Sequence, residues 1–296
     1  MRNFLNSINS FPHQRTFWAV AGTAVLLLAS MGIRAAEAED VVSALKQKGT
    51  ITSGVANEAP WMIVGSDGAL SGVGPEVDRE ALAATGVSNY AAQVMDYGAM
   101  IPALQAGRVD IISSGALFIK PARCEQVIYS EPVVCNSEGF LMKKTLQGKI
   151  QSYKDVAEGN LRIGVCGGCS EQRFATEAGV SPQNMVIFPD GVSALKMLQD
   201  DRIDLFALPD ASLEALQKQS PDANLAVIFP VKGTPIGCGG AAFKKEDVAL
   251  RDLYNQGLAK IVANGQYAAI MAKYGLSSHV RLREGQTTAA LCSASQ

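Results

Sequence analysis

Two segments of the chain share one pattern of hydrophobic and polar positions, and each joins the end of a helix to a strand. Residues 104–112 have the sequence LQAGRVDII, and residues 198–206 have the sequence LQDDRIDLF. In each copy, apolar positions at helical spacing precede a short turn and an apolar run. The copies lie much further apart than the ~20–50 residues of a solenoid repeat. The pattern therefore predicts an α/β protein with two lobes of similar design, each with its own sheet.

The order of predicted elements makes one of these lobes discontinuous. Residues 39–139 and 233–296 form predicted lobe 1, and residues 140–232 form predicted lobe 2. The chain crosses between the lobes near 136–144 and again near 230–240. Two crossings make a two-segment hinge, about which one lobe can swing against the other. A cleft between two such lobes, in a chain without an evident catalytic motif, favours the capture of a small solute.

Residues 1–38 have the pattern of a secretory signal peptide. Arg2 and Arg15 make the leader basic, residues 17–33 are mostly apolar, and an Ala-Glu-Ala sequence ending at Ala38 fits the cleavage pattern. The apolar run is shorter than the ~20 residues that a membrane-spanning helix needs. We therefore expect cleavage after Ala38, export, and a mature chain that acts in the periplasm.

Charge narrows the class of partner. The formal net charge is -2, and 18% of the residues are charged. This composition lacks the basic patch that nucleic-acid binding needs, so nucleic acid is not an expected partner. Nothing in the sequence indicates a cofactor.

The cysteines favour disulfides. All six follow the predicted signal peptide, and an even number in an exported chain indicates disulfides more often than metal sites. Six cysteines allow 15 pairings, so the sequence leaves the connectivity open. The preferred set is Cys124–Cys135, Cys166–Cys169 and Cys238–Cys292.

Cys166-Gly-Gly-Cys169 also has the spacing of a redox pair, because a CxxC at a helix start lowers the thiol pKa. Nothing else in the chain resembles a thioredoxin unit, so redox catalysis is disfavoured. Zinc is less favoured still, because His279 is the one histidine that follows the signal peptide and a four-ligand site is not available.

A basic side chain in one lobe and a helix start in the other form a candidate anion site. Arg123 falls near the first turn of a predicted helix, where a cation is unfavourable by ~0.3–1 kcal/mol unless an anion lies beside it. In lobe 2, a Gly-Gly turn and Ser170 place backbone N–H groups and a hydroxyl at another helix start. Arg123 and Ser170 are therefore candidates to hold one carboxylate from both sides. The alternatives are an Arg123 that is solvated or paired with Glu125 or Glu131, and a Ser170 that is only an N-cap.

Trp61, Tyr97 and Phe118 each lie just past a predicted strand end, where open α/β sheets usually bind ligands. A box of aromatic faces attracts a delocalised or alkylated cation by ~0.5–2 kcal/mol per ring. Glu58, close to Trp61 in sequence, is a candidate hydrogen-bond acceptor for such a ligand. Taken singly, each ring is more often a core residue, and Glu58 more often an exposed loop carboxylate.

Several segments together resemble a known family over most of the mature chain. They are residues 56–61 (ANEAPW), 97–108 (YGAMIPALQAGR), 118–124 (FIKPARC), 189–191 (PDG), 195–200 (LKMLQD), 238–243 (CGGAAF) and 274–277 (YGLS). These segments resemble the polar amino-acid class of periplasmic solute-binding proteins of ABC importers and, more narrowly, the ectoine- and hydroxyectoine-binding proteins. The resemblance implies a two-lobed type II periplasmic binding protein (Venus flytrap) fold. It also implies a small zwitterionic ligand and the membrane subunits of an ABC permease as partners.

The resemblance further implies a role for each candidate residue. An aromatic box over an amidinium ring falls on Trp61, Tyr97 and Phe118. The contact to the ligand carboxylate falls on Arg123, the contact to a ring N–H on Glu58, and the contact from lobe 2 on Ser170.

The chain departs from the family pattern at three places. Trp61 stands where the ectoine-binding subgroup has Phe, and the CxxC brings thiols to a turn that is normally rich in glycine. Amino-acid binders of this fold follow the strand equivalent to residues 204–208 with an Asp that binds the α-ammonium, and here that position is Pro209. Asp210 would replace this Asp only if the loop shifts, which argues against an ordinary α-amino acid as ligand.

Three functions follow from these patterns. The leading hypothesis is a receptor, not an enzyme, that captures ectoine or 5-hydroxyectoine for import. The second keeps the receptor and changes the ligand to another small zwitterion, such as a polar or cyclic amino acid. The third is a periplasmic enzyme similar to cyclohexadienyl dehydratases, with Glu58 as general acid. It is disfavoured because the proposed pocket has no metal set or nucleophile with a paired base.

Overall fold

The computed structural model describes residues 49–294, together with residues 43, 44 and 47. The predicted signal peptide, residues 1–38, lies outside the described residues, as does most of residues 41–48. Within the described ranges, no helix is both long and apolar enough to cross a membrane.

Strands and helices alternate along most of residues 49–294. The strands are β1 Ile51–Val55, β2 Ile63–Val64, β3 Leu70–Ser71, β4 Tyr90–Val94, β5 Ile111–Ile112, β6 Ile128–Tyr129, β7 Val134–Asn136, β8 Glu138–Lys143, β9 Ile163–Cys166, β10 Met185–Phe188, β11 Leu205–Pro209, β12 Leu225–Ile228, β13 Gly237–Gly239 and β14 Ala242–Phe243. The helices are α1 Val73–Ala83, α2 Tyr97–Gln105, α3 Pro121–Cys124, α4 Tyr153–Glu158, α5 Ser170–Glu177, α6 Gly191–Gln199, α7 Asp210–Gln219, α8 Val248–Ala263, α9 Gln266–Lys273, α10 His279–Leu282 and α11 Thr288–Ser293.

Lobe 1 is built on a five-stranded sheet in the order β4-β1-β5-β14-β6. Strand β1 pairs in parallel with both β4 and β5, so the chain needs crossover helices, which α1 and α2 supply. Strand β14, which follows lobe 2 in sequence, joins this sheet antiparallel to β5 and β6. The chain therefore returns to lobe 1 to complete its sheet.

Lobe 2 repeats this plan with a second five-stranded sheet, in the order β10-β9-β11-β8-β12. Strand β9 pairs in parallel with β10 and β11, as β1 does with β4 and β5. Both faces of the sheet are buried: Phe140 and Met142 of β8 enter one apolar cluster, and Leu141 between them enters the other. Successive side chains of one strand therefore point to opposite faces of the sheet and pack in the apolar cluster on each face.

The repeated sequence pattern occupies the same place in both lobes. Residues 104–112 run from the end of α2 into β5, and residues 198–206 run from the end of α6 into β11. Strands β5 and β11 each lie beside the first parallel strand of their own sheet. The prediction of two lobes of similar design is confirmed.

Two short strands connect the lobes. Strands β7 and β13 pair antiparallel, with Cys135 directly opposite Cys238 in the register. These two cysteines form a disulfide, so the two chain crossings are covalently joined.

Two of the three preferred disulfides are wrong. Cys135 bonds Cys238, and Cys124 of α3 bonds Cys292 of α11, which holds the C-terminal helix on lobe 1. Cys166–Cys169 is present as predicted. The physical reason is that strand register brings Cys135 and Cys238 together across 103 residues of sequence. Proximity in sequence favoured Cys124 as the partner of Cys135.

Helix α8 packs directly on α1, and a glycine makes this contact possible. A Cβ added at Gly257 would lie 1.8 Å from the backbone carbonyl oxygen of Ala81. That overlap involves backbone, which cannot rotate away, so the two helices would have to move apart. Gly257 is therefore a packing requirement rather than a flexible point.

We expect Gly257→Ala to destabilise the protein, although alanine raises helix propensity by up to ~1 kcal/mol at an exposed site. Overpacking against Ala81 should lower the free energy of unfolding by about 1–3 kcal/mol or more, measured by urea denaturation. Gln256→Ala, at the exposed neighbouring position of α8, is the matched control and should change stability by less than ~0.5 kcal/mol. A more stable Gly257→Ala protein would contradict this packing argument.

Candidate functional site

One cavity between the lobes is lined by all six candidate residues. The candidates are Glu58, Trp61, Tyr97, Phe118 and Arg123 from lobe 1 and Ser170 from lobe 2. The other lining residues are Gly115, Ala116, Asn136, Cys166, Cys169, Glu171 and Pro209.

Three aromatic side chains form the apolar walls of the cavity. Trp61 lies between β1 and β2, is 2% exposed, and meets the imidazole of His279 edge-on with 6.2 Å between ring centroids. Tyr97 is the first residue of α2. The ring of Phe118 lies against β13 at Gly237, where an added Cβ would come within 2.9 Å of the ring. A glycine in the hinge strand therefore leaves room for this wall.

Glu58 supplies an acidic wall. Its carboxylate accepts a hydrogen bond from the hydroxyl of Ser212 in lobe 2 at 2.6 Å, and another from the hydroxyl of Tyr97. Burial raises the pKa of Glu58 above its usual range, and the hydrogen bonds from Ser212 and Tyr97 offset part of that effect. A cation placed beside this carboxylate would favour its ionised form.

Arg123 approaches the cavity from α3. Its Nη1 donates to the carbonyl of Phe118 at 3.0 Å, and its Nη2 donates to the carbonyl of Gly168 in lobe 2 at 3.2 Å. These carbonyls, rather than Glu125 or Glu131, are the partners of the guanidinium. Because a guanidinium carries five N–H donors, two such bonds leave donors for an anion.

Ser170 is not the N-cap of its helix. Cys169 occupies that position, and Ser170 is the first residue of α5. Its Oγ is buried and has no hydrogen-bond partner among the described residues. The alternative role predicted for Ser170 is therefore wrong, and its hydroxyl is available to a ligand.

Three polar atoms of the cavity lining, including the Ser170 hydroxyl, are buried and have no hydrogen-bond partner among the described residues. They are Nε1 of Trp61, Oδ1 of Asn136 and Oγ of Ser170. A buried polar group left without a partner costs about 1–3 kcal/mol. Three of them around one cavity point to a ligand that offers both donors and acceptors.

Among the lining residues that were not candidates, Asn136 and Glu171 carry an amide and a carboxylate. Asn136 ends β7 in the hinge, and Glu171 is the second residue of α5 and only 3% exposed. An acid in the first turn of a helix is common for electrostatic reasons, so its sequence position carried no signal. Only the packing of the two lobes reveals that both residues face the cavity.

The position expected for an ammonium-binding Asp is filled by Pro209, which lines the cavity. The next residue, Asp210, instead accepts hydrogen bonds from the hydroxyl of Ser137 at 2.5 Å and from the backbone N–H of Ala211 at 2.7 Å. Its Oδ1 also lies 3.2 Å from Nε2 of His279. Asp210 does not line the cavity, so the loop shift that would let it replace the missing Asp does not occur.

Three polar contacts hold the lobes together around the cavity. Ser212 of lobe 2 bonds Glu58, and Gly168 of lobe 2 bonds Arg123. Asp210 of lobe 2 bonds His279 of lobe 1, which also packs on the edge of Trp61. The structure is therefore a closed form, with contacts between lobes on several sides of the cavity.

The disulfide Cys166–Cys169 forms part of the cavity floor. Among the described residues, these two cysteines and Glu171 are the one group of three possible metal ligands, with ligand atoms within 4.8 Å of one another. Metal sites use thiolates, and in the disulfide neither sulfur is a thiolate. The disulfide Cys166–Cys169 covalently constrains the turn that precedes α5.

Residues 51–277 match the family described as bacterial extracellular solute-binding proteins, family 3. The chain belongs to this family and is a periplasmic solute-binding protein of an ABC transporter. The predicted two-lobed type II periplasmic binding protein fold is confirmed.

Individual relatives agree with this class. The chain in a crystal structure of EhuB in complex with hydroxyectoine has 43% sequence identity to this protein. The alignment covers 86% of this chain and 98% of the EhuB chain, and the two structures superpose with a TM-score of 0.81. A probable amino-acid ABC transporter periplasmic-binding protein, y4tE of Sinorhizobium fredii (strain NBRC 101917 / NGR234), is 31% identical over 93% of this chain and 92% of its own length. The ancestral amino-acid-binding protein AncCDT-1, described as a precursor of cyclohexadienyl dehydratase, shares the fold at 22% identity over 79% of this chain and 99% of that one, with a TM-score of 0.70.

We expect Asp210→Asn to weaken the contact between lobes. Burial would raise the pKa of Asp210, but hydrogen bonds from His279 and Ser137 outweigh it and hold that pKa below its usual range. The ionised carboxylate therefore stabilises the folded protein at pH values above the unfolded pKa of ~4, and this contribution is lost as the pH falls through the folded pKa. Removing the charge should lower the free energy of unfolding by about 1–3 kcal/mol at pH 7.

Urea denaturation from pH 7 to pH 3 measures this effect, and the difference between Asp210→Asn and wild type should shrink below pH ~4. Asp200→Asn, at an exposed position paired with Lys196 on the surface, is the control and should cost less than ~1 kcal/mol. Equal effects of the two substitutions would contradict a stabilising role for Asp210.

Proposed function

We propose that this protein is exported to the periplasm, where it captures ectoine or 5-hydroxyectoine and delivers it to an ABC permease. The observation that carries the proposal is the composition of one cavity between the lobes. It combines three aromatic walls and a buried carboxylate with a guanidinium at one side. A compact zwitterion with a delocalised cation and one carboxylate has matching chemistry.

The cationic half of such a ligand fits the aromatic walls and Glu58. Each ring face is worth about 0.5–2 kcal/mol to a desolvated cation, and a charge delocalised over a flat ring can contact more than one face. Glu58 adds a charge-assisted hydrogen bond to a ring N–H, which fixes the orientation of the ring. Trp61, where the ectoine-binding subgroup has Phe, presents a larger face and an N–H donor.

The carboxylate of the ligand fits Arg123 and the start of α5. A guanidinium binds a carboxylate through two parallel N–H bonds, and Ser170 adds a hydroxyl from the opposite lobe. One carboxylate held in this way bridges the lobes. The likeness to EhuB, a protein solved with hydroxyectoine bound, supports the same assignment.

The cavity is poorly suited to the α-ammonium of an ordinary amino acid. A localised ammonium needs a carboxylate at the position that Pro209 occupies, and Asp210 is engaged by Ser137 and His279. The amino-acid name of the y4tE relative keeps a polar or cyclic amino acid as the alternative ligand.

Closure follows from differential affinity. A ligand that contacts Arg123 in lobe 1 and Ser170 in lobe 2 binds the closed form better than the open form, so binding shifts the population toward closure. The permease then distinguishes loaded from empty protein by the relative position of the lobes. Export depends on the predicted signal peptide, residues 1–38.

Isothermal titration calorimetry on the mature protein tests the ligand. We expect binding of ectoine and 5-hydroxyectoine, and much weaker or no binding of L-glutamine and L-histidine. Clear heat for an amino acid with none for either ectoine would refute the proposal in favour of the alternative ligand.

Pro209→Asp separates the two ligand classes. An ammonium-binding site should gain at least tenfold in affinity from a carboxylate at this position, because a charged hydrogen bond contributes about 1.5–3 kcal/mol. We expect no such gain for the ectoines, whose cation is held by ring faces and Glu58. Pro209→Ala is the matched control for loss of the proline ring. A tenfold gain in affinity for ectoine or 5-hydroxyectoine in Pro209→Asp, without the same gain in Pro209→Ala, would contradict the assignment of an amidinium ligand.

A further inference from the structure

Glu171 is a second buried carboxylate of the cavity, on the lobe opposite Glu58. Its Oε2 lies 3.6 Å from Sγ of Cys166. Because Cys166 is bonded to Cys169, that sulfur carries no hydrogen to donate. In the part of the chain that the structure describes, the hydrogen bond that favours the ionised form comes from the backbone N–H of Glu171 itself. Most of the acceptor capacity of this carboxylate is therefore unused.

The charges around Glu171 come from both lobes. The groups that act on it or feel its charge are Glu58, Tyr97, Lys120, Arg123, Glu138 and Tyr153. The pKa of Glu171 is raised to about 7, chiefly by burial and also by the nearby charge of Glu58, while its own backbone N–H acts to lower it. Lys120 and Arg123 favour the ionised form.

The carboxylates of Glu58 and Glu171 restrict the ligand more than the aromatic walls do, because they favour a cation that carries N–H donors. Rings alone also accept a quaternary ammonium, which has no N–H to donate. A buried carboxylate with unused acceptor capacity is costly. Glu58 accepts from Ser212 and Tyr97 within the protein and can accept one further N–H, whereas Glu171 has, among the described residues, only its own backbone N–H and gains most from a donor on the ligand. A cation that carries N–H groups on more than one side can satisfy carboxylates from both lobes.

We propose that Glu171 is a ligand contact that determines specificity. It accepts a hydrogen bond from the ligand's cation, from the lobe opposite Glu58. The pocket thereby selects compact zwitterions whose cation has at least two N–H donors, such as an amidinium or guanidinium, over quaternary ammonium zwitterions. This inference rests on the proposed function and narrows the chemistry of the same site.

Proton linkage follows from the proposal. Since the pKa of Glu171 is raised to about 7, part of the empty protein carries a proton there at neutral pH, and a bound cation displaces it. Affinity for the cationic ligand should therefore fall as the pH drops below ~7, by at most tenfold per pH unit for one proton. At pH 8 the carboxylate is ionised and affinity should level off.

Glu171→Gln is the central variant, because it keeps the shape of the side chain and removes its charge. Its affinity for ectoine at pH 8 should be about tenfold or more below wild type, and this difference should shrink at pH 6, where the wild-type carboxyl is largely protonated. Glu177→Gln removes the same charge from an exposed position on α5 and should leave affinity within twofold.

A second measurement distinguishes a direct contact between Glu171 and the ligand from an indirect effect of the substitution on the structure. Calorimetry at pH 7 in buffers of different ionisation heat should show a fraction of a proton released on ectoine binding by the wild type and by Glu177→Gln. Glu171→Gln should release a smaller fraction, because the proton held by the Glu171 carboxyl is absent. Circular dichroism establishes that each variant is folded. Unchanged affinity and unchanged proton release in Glu171→Gln would overturn the inference and leave the proposed function standing.

The ligand panel distinguishes the two proposals. Ectoine, 5-hydroxyectoine and L-arginine carry cations with at least two N–H donors, and glycine betaine carries none. Binding of glycine betaine as tightly as ectoine would overturn the inference alone. If the wild type bound neither ectoine but bound L-arginine, with loss in Glu171→Gln, the proposed function would fail and the inference would stand. Binding of none of the four would overturn both.

Discussion

A carboxylate buried between two lobes must find hydrogen-bond donors, and Glu58 finds them in both. Tyr97 of lobe 1 and Ser212 of lobe 2 each donate to it, and the Ser212 bond exists only when the lobes are together. The contacts of Arg123 with Gly168 and of Asp210 with His279 have the same property. Closure is therefore an electrostatic event, in which polar groups exchange water for partners across the cleft.

The scaffold makes this exchange possible by repeating one plan. In both sheets a first strand pairs in parallel with the next two strands, so loops that follow equivalent strands meet at the cleft. Strands β7 and β13 join the lobes, and Cys135–Cys238 ties them at one register. Two short connecting strands are the kind of hinge about which lobes can rotate relative to each other.

The chemistry of the cavity is defined both by the carboxylate that is missing at position 209 and by the aromatic and acidic side chains that are present. Pro209 removes the usual partner of an α-ammonium, and Asp210 is occupied by other groups. Flat aromatic walls and buried carboxylates instead favour a delocalised cation that can donate hydrogen bonds. Arg123 and Ser170, which line the same cavity, are the groups that we propose bind the carboxylate of the ligand. A small zwitterion is the ligand we propose, because each of its charges would meet the opposite charge or an aromatic face.

The sequence by itself determined the two lobes of similar design, the passage from helix to strand in residues 104–112 and 198–206, and the position of three aromatic rings in loops after strands. These features are local: apolar periodicity and turn residues set each element, and the side chain after a strand faces the edge of its sheet. Two disulfides were mispaired because strand register brings Cys135 to Cys238, and sequence distance carries no information on register. Glu171, Asn136 and the contact of Asp210 with His279 were decided by tertiary structure alone. Whether such a side chain is buried, and which group it faces, depends on a second surface that the chain supplies from far away in sequence.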